Sequence, residues 1–300
     1  MMTGVLLTLA AGSFWSLSGV VNSCCAKYKL DIITYLLSNV LCSFLLSLIF
    51  CFDYSIPWNK QLAIMALIMI PAGMSNTGGA LFLQAALKRG HHGIIFLIAN
   101  AAMVVPFLTG ILFFGECPSL IQYGGAAAIF LGIFSCSVPK MKHGQNKNEA
   151  NWFAYAIASF LCFGLAQTLM TMPSFPAFKE YAIPGSSKTT LLYLGCSLLM
   201  TMRSLGAIRK KELQFSQKLV ICGILVSLCN LFSMYLMFYA LDALAKAKLA
   251  SMGFSLALSS SLVMFTGYSI FIIREKCYFM TLLGLFLIIG GGILLSLPGK

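Results

Sequence analysis

The stretches Phe113-Phe114-Gly115-Glu116-Cys117 and Ile272-Ile273-Arg274-Glu275-Lys276 each close a long apolar run, and each is followed by another with glycines at matching distances. Glu116 corresponds to Glu275, Gly125 to Gly284 and Gly132 to Gly291, all at one offset of 159 residues. The chain therefore reads as one unit written twice. Two related halves facing each other across a bilayer are a common architecture of alternating-access membrane proteins.

The solvent of this chain is lipid. Of its 300 residues, 59% are hydrophobic and only 9% charged, mean hydropathy is +0.90, and an ordinary soluble domain carries about 25% charged residues. A helix needs about 20 apolar residues to cross ~30 Å of hydrocarbon. The charged residues cut the sequence into ten such spans, at residues 3–23, 32–51, 61–86, 92–114, 118–137, 152–172, 188–205, 219–241, 249–273 and 278–297. The expected fold is an all-α membrane protein of ten transmembrane helices. The first span has no Lys or Arg before it and is long for a cleavable h-region, so it reads as a true span. The longest polar stretch, Pro139 to Glu149, separates spans five and six. This divides the chain into a first five-helix repeat at 1–138, a linker at 139–150 and a second repeat at 151–300.

The net charge of +12 reports orientation and not a nucleic-acid surface, because the basic residues lie between spans. The odd-numbered connections hold fourteen: Lys27, Lys29, Lys88, Arg89, Lys140, Lys142, Lys147, Arg203, Arg209, Lys210, Lys211, Lys218, Arg274 and Lys276. The other side holds six: Lys60, Lys179, Lys188, Lys246, Lys248 and Lys300. The positive-inside bias makes the odd connections cytoplasmic and puts both termini outside, with a bacterial inner (plasma) membrane as the expected location. Five is an odd number of spans, so the second repeat enters the membrane inverted relative to the first.

Spans three and eight align at a different offset, 154, which superposes Asn76 on Asn230 and Ala86-Leu87 on Ala240-Leu241. The five-residue change predicts a longer turn or helix start around residues 242–248. At the 159 offset, Asn100 in span four meets Ser259 in span nine. An unpartnered amide in hydrocarbon costs several kcal/mol, so Asn76, Asn100 and Asn230 face the protein interior or water. Two roles fit them: hydrogen bonds between helices, worth about 0.6 kcal/mol each, or the lining of a central cavity that offers donors and acceptors to a solute. Symmetry sets Asn76 and Asn230 near a pseudo-two-fold axis and favours the cavity for that pair. In span nine, Ser251, Ser255, Ser259 and Thr266 keep small hydroxyl residues near one helical face. That stripe suits either close helix packing or the polar wall of a pore, which makes Ser255 and Ser259 candidate substrate-binding residues. Pro71 and Pro106 fall deep in spans three and four and predict kinks there.

Several chemistries lack their parts. All eight acidic residues fall at span ends or in connections, so no mid-membrane carboxylate offers a proton relay. His91 and His92 read as an interfacial helix start. The eleven cysteines include no Cys-x-x-Cys pair and read as small packing residues. There is no His-Glu-x-x-His, no Walker loop and no Gly-x-Ser-x-Gly. The expectation is a non-enzyme without cofactor or metal, whose partners are a small-molecule substrate and the bilayer, with no nucleic acid, as a monomer or homodimer.

The pattern of apolar span, Gly-Glu or Arg-Glu, short turn and Gly-rich span, repeated in two five-span copies, resembles the drug/metabolite transporter superfamily and its EamA-like ten-helix members. Its most specific parts are Phe113 to Glu116 followed by Gly125 and Ile129 to Gly132, and Ile272 to Glu275 followed by Gly284 and Leu287 to Gly291. Phe238-Tyr239-Ala240-Leu241 is similar to the aromatic-Ala-Leu ending of such spans, while Arg274 stands where the family has glycine. The resemblance implies secondary transport of a small organic metabolite or drug through a midplane cavity. Spans one, three, four, six, eight and nine would line that cavity, and spans five and ten would support it from the periphery. It adds Trp15 and Gln167 as candidate cavity residues. It also implies that Glu116 and Glu275 are structural, capping or pairing near residues such as Arg274 and Lys276. A channel or a non-transporting membrane scaffold is the alternative.

Overall fold

A computed structural model describes residues 1–27, 31–57, 59–89, 95, 98–142, 151–209, 216–272, 274 and 278–297. His91, His92, Glu275, Lys276 and linker residues 143–150 lie outside the described residues. Ten α-helices follow one another: α1 (Met2–Lys27), α2 (Ile32–Phe50), α3 (Lys60–Leu87), α4 (Val104–Phe114), α5 (Leu120–Lys142), α6 (Trp152–Thr171), α7 (Gly185–Arg209), α8 (Gln217–Ala245), α9 (Gly253–Phe271) and α10 (Phe279–Ser296). Short 3₁₀ turns precede α4 (Ala101–Met103) and α9 (Ala250–Met252), and two more join α6 to α7. The ends fall within a few residues of the expected spans, except that α7 is longer at both ends and α4 is entered through residues 98–100 and a 3₁₀ turn.

Six of these helices, α1, α2, α3, α6, α8 and α9, are long and apolar enough to cross a membrane by length and composition. The described apolar stretches of α4, α5 and α10, Ile98–Phe114, Leu120–Cys136 and Phe279–Leu295, are shorter. α7 has the length, and most of its polar residues are turned inward: Ser187, Lys188, Thr189, Thr190, Ser197 and Ser204 are buried, while Thr201, Arg203 and Arg209 near its end are exposed. The surface is the reverse of a soluble protein's, with Phe50, Leu67, Leu112, Phe113 and Phe286 each more than 70% exposed. An apolar rim around buried hydroxyls is what a hydrocarbon solvent selects.

The main helix contacts are preserved when each of the first five helices is exchanged with the helix five places later, whereas α7/α8 and α9/α10 have no comparable counterpart among the described residues. α1 packs on α8 and α9 as α6 packs on α3 and α4; α2 crosses α8 as α7 crosses α3; the pairs α2/α7 and α5/α10 map onto themselves. Across α1/α8 the Ser233 hydroxyl donates to the Ala11 carbonyl at 2.7 Å. Across α3/α6 that of Ser159 donates to the Gly79 carbonyl at 3.0 Å, and Gly79 is the 154-offset equivalent of Ser233. The glycines that revealed the repeat meet each other. A Cβ at Gly125 would stand 2.7 Å from the Gly291 oxygen and one at Gly291 2.5 Å from that of Gly125, and Gly132 and Gly284 are related in the same way at 2.7 and 2.6 Å. Small residues let the α5 and α10 backbones touch.

The exit of α4 and its counterpart after α9 also match. Gly115 has φ +65° and Arg274 φ +60°, so both copies end in the left-handed conformation that glycine adopts freely and other residues adopt at a cost. Arg274→Gly is expected to raise stability by about 1 kcal/mol, read as a higher denaturation midpoint in detergent. An unchanged or lower midpoint would show that Arg274 makes a compensating contact.

The copies diverge where the offset changes. α3 ends at Leu87, the equivalent of Leu241, but α8 runs on to Ala245, so Asp242 to Ala245 is the extra turn the sequence predicted. Asp242 is thus inside a helix and not in a connection. Lys188 Nζ donates to both its carboxylate oxygens at 2.9 Å, and the Ser174 hydroxyl donates to it at 2.6 Å. The Lys188 side chain is 1% exposed, so a residue counted by its sequence as a free interfacial charge is the buried half of an ion pair. Pro71 lies in an unbroken α3, and Pro106 in the first turn of α4, where a missing N–H is tolerated. The irregularity near Pro106 is the 3₁₀ turn just before it.

Candidate functional site

The helices leave a central cavity of about 340 Å³, lined from both copies by half-buried amides: Asn39 of α2, Asn76 of α3, Asn100 just before the 3₁₀ turn, Gln167 of α6 and Asn230 of α8. Trp15, Phe163 and Phe254 supply aromatic faces, and Thr77, Tyr193 and Cys196 further polar groups. The rings of Trp15 and Phe254 stack with centroids 6.2 Å apart. Part of the polar lining is already engaged. The Ser18 hydroxyl donates to Asn230 Oδ1 at 2.7 Å, Asn230 Nδ2 reaches Asn39 Oδ1 at 3.5 Å, and Ser227 donates to the Asn39 carbonyl at 2.8 Å and to its Oδ1 at 3.2 Å. Asn76 and Thr77 lie within hydrogen-bonding reach of the Cys196 sulfur, whose thiol donates to the Gly73 carbonyl. Gln167 Oε1 is buried with no hydrogen-bond partner.

Five of the seven candidates, Asn76, Asn100, Asn230, Trp15 and Gln167, line this one cavity. Ser255 and Ser259 do not. The Ser259 hydroxyl donates back to the Ser255 carbonyl at 2.6 Å, both residues are buried, and Ser259 borders an apolar cleft between α1, α9 and α10. The stripe follows close packing: a Cβ at Gly12 of α1 would collide with the Ala257 carbonyl of α9. Asn39 was missed, although an amide at mid-depth in an apolar span is the same signal that singled out Asn76.

Among the described residues, no carboxylate, ammonium, guanidinium or imidazole lines the cavity. The two charged residues buried among the described ones, Lys188 and Glu116, are held elsewhere. Glu116, between α4 and α5, is 3% exposed and accepts from the Ser251 hydroxyl and, at 3.2 Å, from the Ser251 backbone N–H. It caps the 3₁₀ turn leading into α9. Burial pushes its carboxyl above the usual range, and the hydrogen bonds from Ser251 and Ala250 oppose that rise. Its partner is therefore a helix start in the other copy, and the pairing with Arg274 implied by the resemblance is not formed. Arg274 belongs to the connection after α9.

The connections after α2, α4, α6 and α8 share one face and are tied across the copies. The Ser187 hydroxyl meets the Asp53 N–H at 3.2 Å, Gln61 Nε2 donates to the Glu180 carbonyl at 3.0 Å, and the Phe114 and Phe175 rings stack at 3.9 Å. The contact between Glu116 and Ser251 adds a further tie of the same kind.

Residues 2–138 match the EamA-like transporter family. A solved chain described only as the crystal structure of a protein aligns with a TM-score of 0.68 over 98% of each chain at 13% identity, a likeness of fold. No curated protein matches in sequence. By this match residues 2–138 belong to the EamA-like family of the drug/metabolite transporter superfamily, and with the apolar helices it makes the protein an integral, multi-pass membrane protein.

Proposed function

We propose that the protein is a secondary transporter of a small organic metabolite or drug. In this reading all ten helices span the bilayer as two inverted five-helix repeats, 1–138 and 151–300, with the cavity opened alternately to each side. The observation that carries the proposal is the cavity itself, built of amides from both copies at mid-depth. The exchange symmetry of the packing supports inversion, since related halves can trade conformations at little cost in energy. The fourteen-to-six basic asymmetry supports both termini outside in a bacterial plasma membrane; a reporter fused after Lys300 should then be inactive in the cytoplasm, and cytoplasmic activity would turn the molecule over.

The functional test is a ligand-stability screen of purified protein followed by flux of any hit in proteoliposomes. Saturable uptake accelerated by solute on the opposite side is the expected result, while linear, non-saturable leakage would make the cavity a channel. Asn76→Leu and Asn230→Leu each remove hydrogen bonds worth up to about 1.5 kcal/mol, so uptake at low solute should fall about tenfold in protein that still folds. Glu116→Gln, away from the cavity, should leave solute affinity unchanged. Normal uptake by both leucine variants with lost binding in Glu116→Gln would move the site to the glutamate.

A further inference from the structure

We infer that the solute carries no formal charge and presents hydrogen-bond donors and acceptors beside an apolar face, the chemistry of a heterocyclic amide or a nucleoside. This rests on the cavity being the transport site. Five carboxamides reach the cavity from five segments of chain, and among the described residues no charged side chain lines it. A charge leaving water for such a site would find no counter-charge, and its desolvation would go uncompensated. The buried charges that are present cannot serve: Lys188 is held by Asp242 and Ser174, and Glu116 by Ser251. Nor does a helix end substitute for one at Asn100, because residues 98–100 are helical, continue through the 3₁₀ turn and run into α4. A zwitterion brings two separated charges and meets the same barrier twice.

What the cavity does offer is the amide group, donor and acceptor side by side. Its natural complement is another edge of the same kind, as in a lactam or primary amide. Gln167 Oε1, buried without a partner, calls for a donor, since a buried acceptor left unpaired is unfavourable. Trp15, Phe163 and Phe254 provide the faces against which a flat, weakly polar ring loses its water. A cavity of about 340 Å³ is at the small end of the ordinary range for small-molecule sites and suits a molecule of nucleoside size or less.

Nicotinamide, nicotinate and 1-methylnicotinamide present one ring in neutral, anionic and cationic form, and uridine with uridine monophosphate adds a second neutral and anionic pair. Thermal unfolding of the purified full-length protein should show a saturable rise in Tm with at least one neutral compound, at an apparent affinity at least tenfold above that of its charged analogue. Gln167→Leu should abolish the shift. Asn39→Asp, which brings a negative charge to the cavity, should move preference toward 1-methylnicotinamide; if either variant fails to fold, the order of affinities in the unaltered protein decides. Tighter binding of a charged member, or no shift with any neutral one, overturns the inference. Flux of the bound compound is read separately. Binding without flux overturns the transporter reading and leaves the solute class standing, whereas flux confined to charged analogues does the reverse.

Discussion

Leucine at Gly73 or at Gly195 is expected to leave no folded protein in the membrane. These glycines mark the crossing of α3 and α7, and the clash is reciprocal: a Cβ at Gly73 would collide with the carbonyl oxygen of Leu192, and one at Gly195 with that of Ile70. Both obstacles are backbone, so no rotamer change relieves them. Overpacking in a well-packed core typically costs about 1–3 kcal/mol, occasionally more, against a whole stability of about 5–15 kcal/mol. Here a branched side chain must push two helices apart along their length. The parting helices carry Asn76, Tyr193 and Cys196, so the cavity goes with the fold. Leucine at Gly124, which has nothing within 4 Å, is the control that should purify normally. Monodisperse Gly73→Leu protein of ordinary thermal stability would mean that the helices do not approach this closely.

A thiol-reactive cross-link between cysteines at Phe114 and Phe175 should reduce transport at least a hundredfold, and its cleavage should restore it. These rings stack at 3.9 Å between connections of different copies, beside the Glu116 and Ser251 contact that also joins the copies. In the proposed transport cycle the cavity opens on this face only when both contacts part, so a covalent tie would hold it shut. The experiment needs a background without the native cysteines, because Cys117 is exposed only three residues from Phe114. Unimpaired transport by fully cross-linked protein would show that solute never passes between these connections.

The positions of the helices were legible because hydrocarbon imposes a coarse rule: a charge ends a span, and a span has a minimum length. The repeat was legible for a steric reason. Gly125, Gly132, Gly284 and Gly291 recur because each faces another's backbone across α5/α10, where no other residue fits. Amides were readable for the same reason as charges, since burying one is costly, and the argument that found Asn76 applies equally to Asn39. The serines of α9 misled because a small hydroxyl satisfies itself on its own helix, as Ser259 does on the Ser255 carbonyl, and so carries little information about where it points. Lys188 and Asp242 were hidden because sequence gives the depth of a charge only roughly and its partner not at all. Here the partners are 54 residues apart and lie on different helices.

The ion pair in the extra turn has a mechanical consequence. Ser174, Lys188 and Asp242 all belong to the second copy, and together they pin the end of α6, the start of α7 and the last turn of α8 to one another. Separating Lys188 from its partner would strand a buried cation at a cost of about 3–5 kcal/mol, so these three segments travel as a block. The described residues of the first copy hold no such buried pair; 3₁₀ turns precede α4 and α9 alike, and the proline in the first turn of α4 has no counterpart in α9. The two halves, alike in their main helix contacts, are thus unequal in one respect: a buried charge ties three segments of the second together, and the described residues of the first have no equivalent tie.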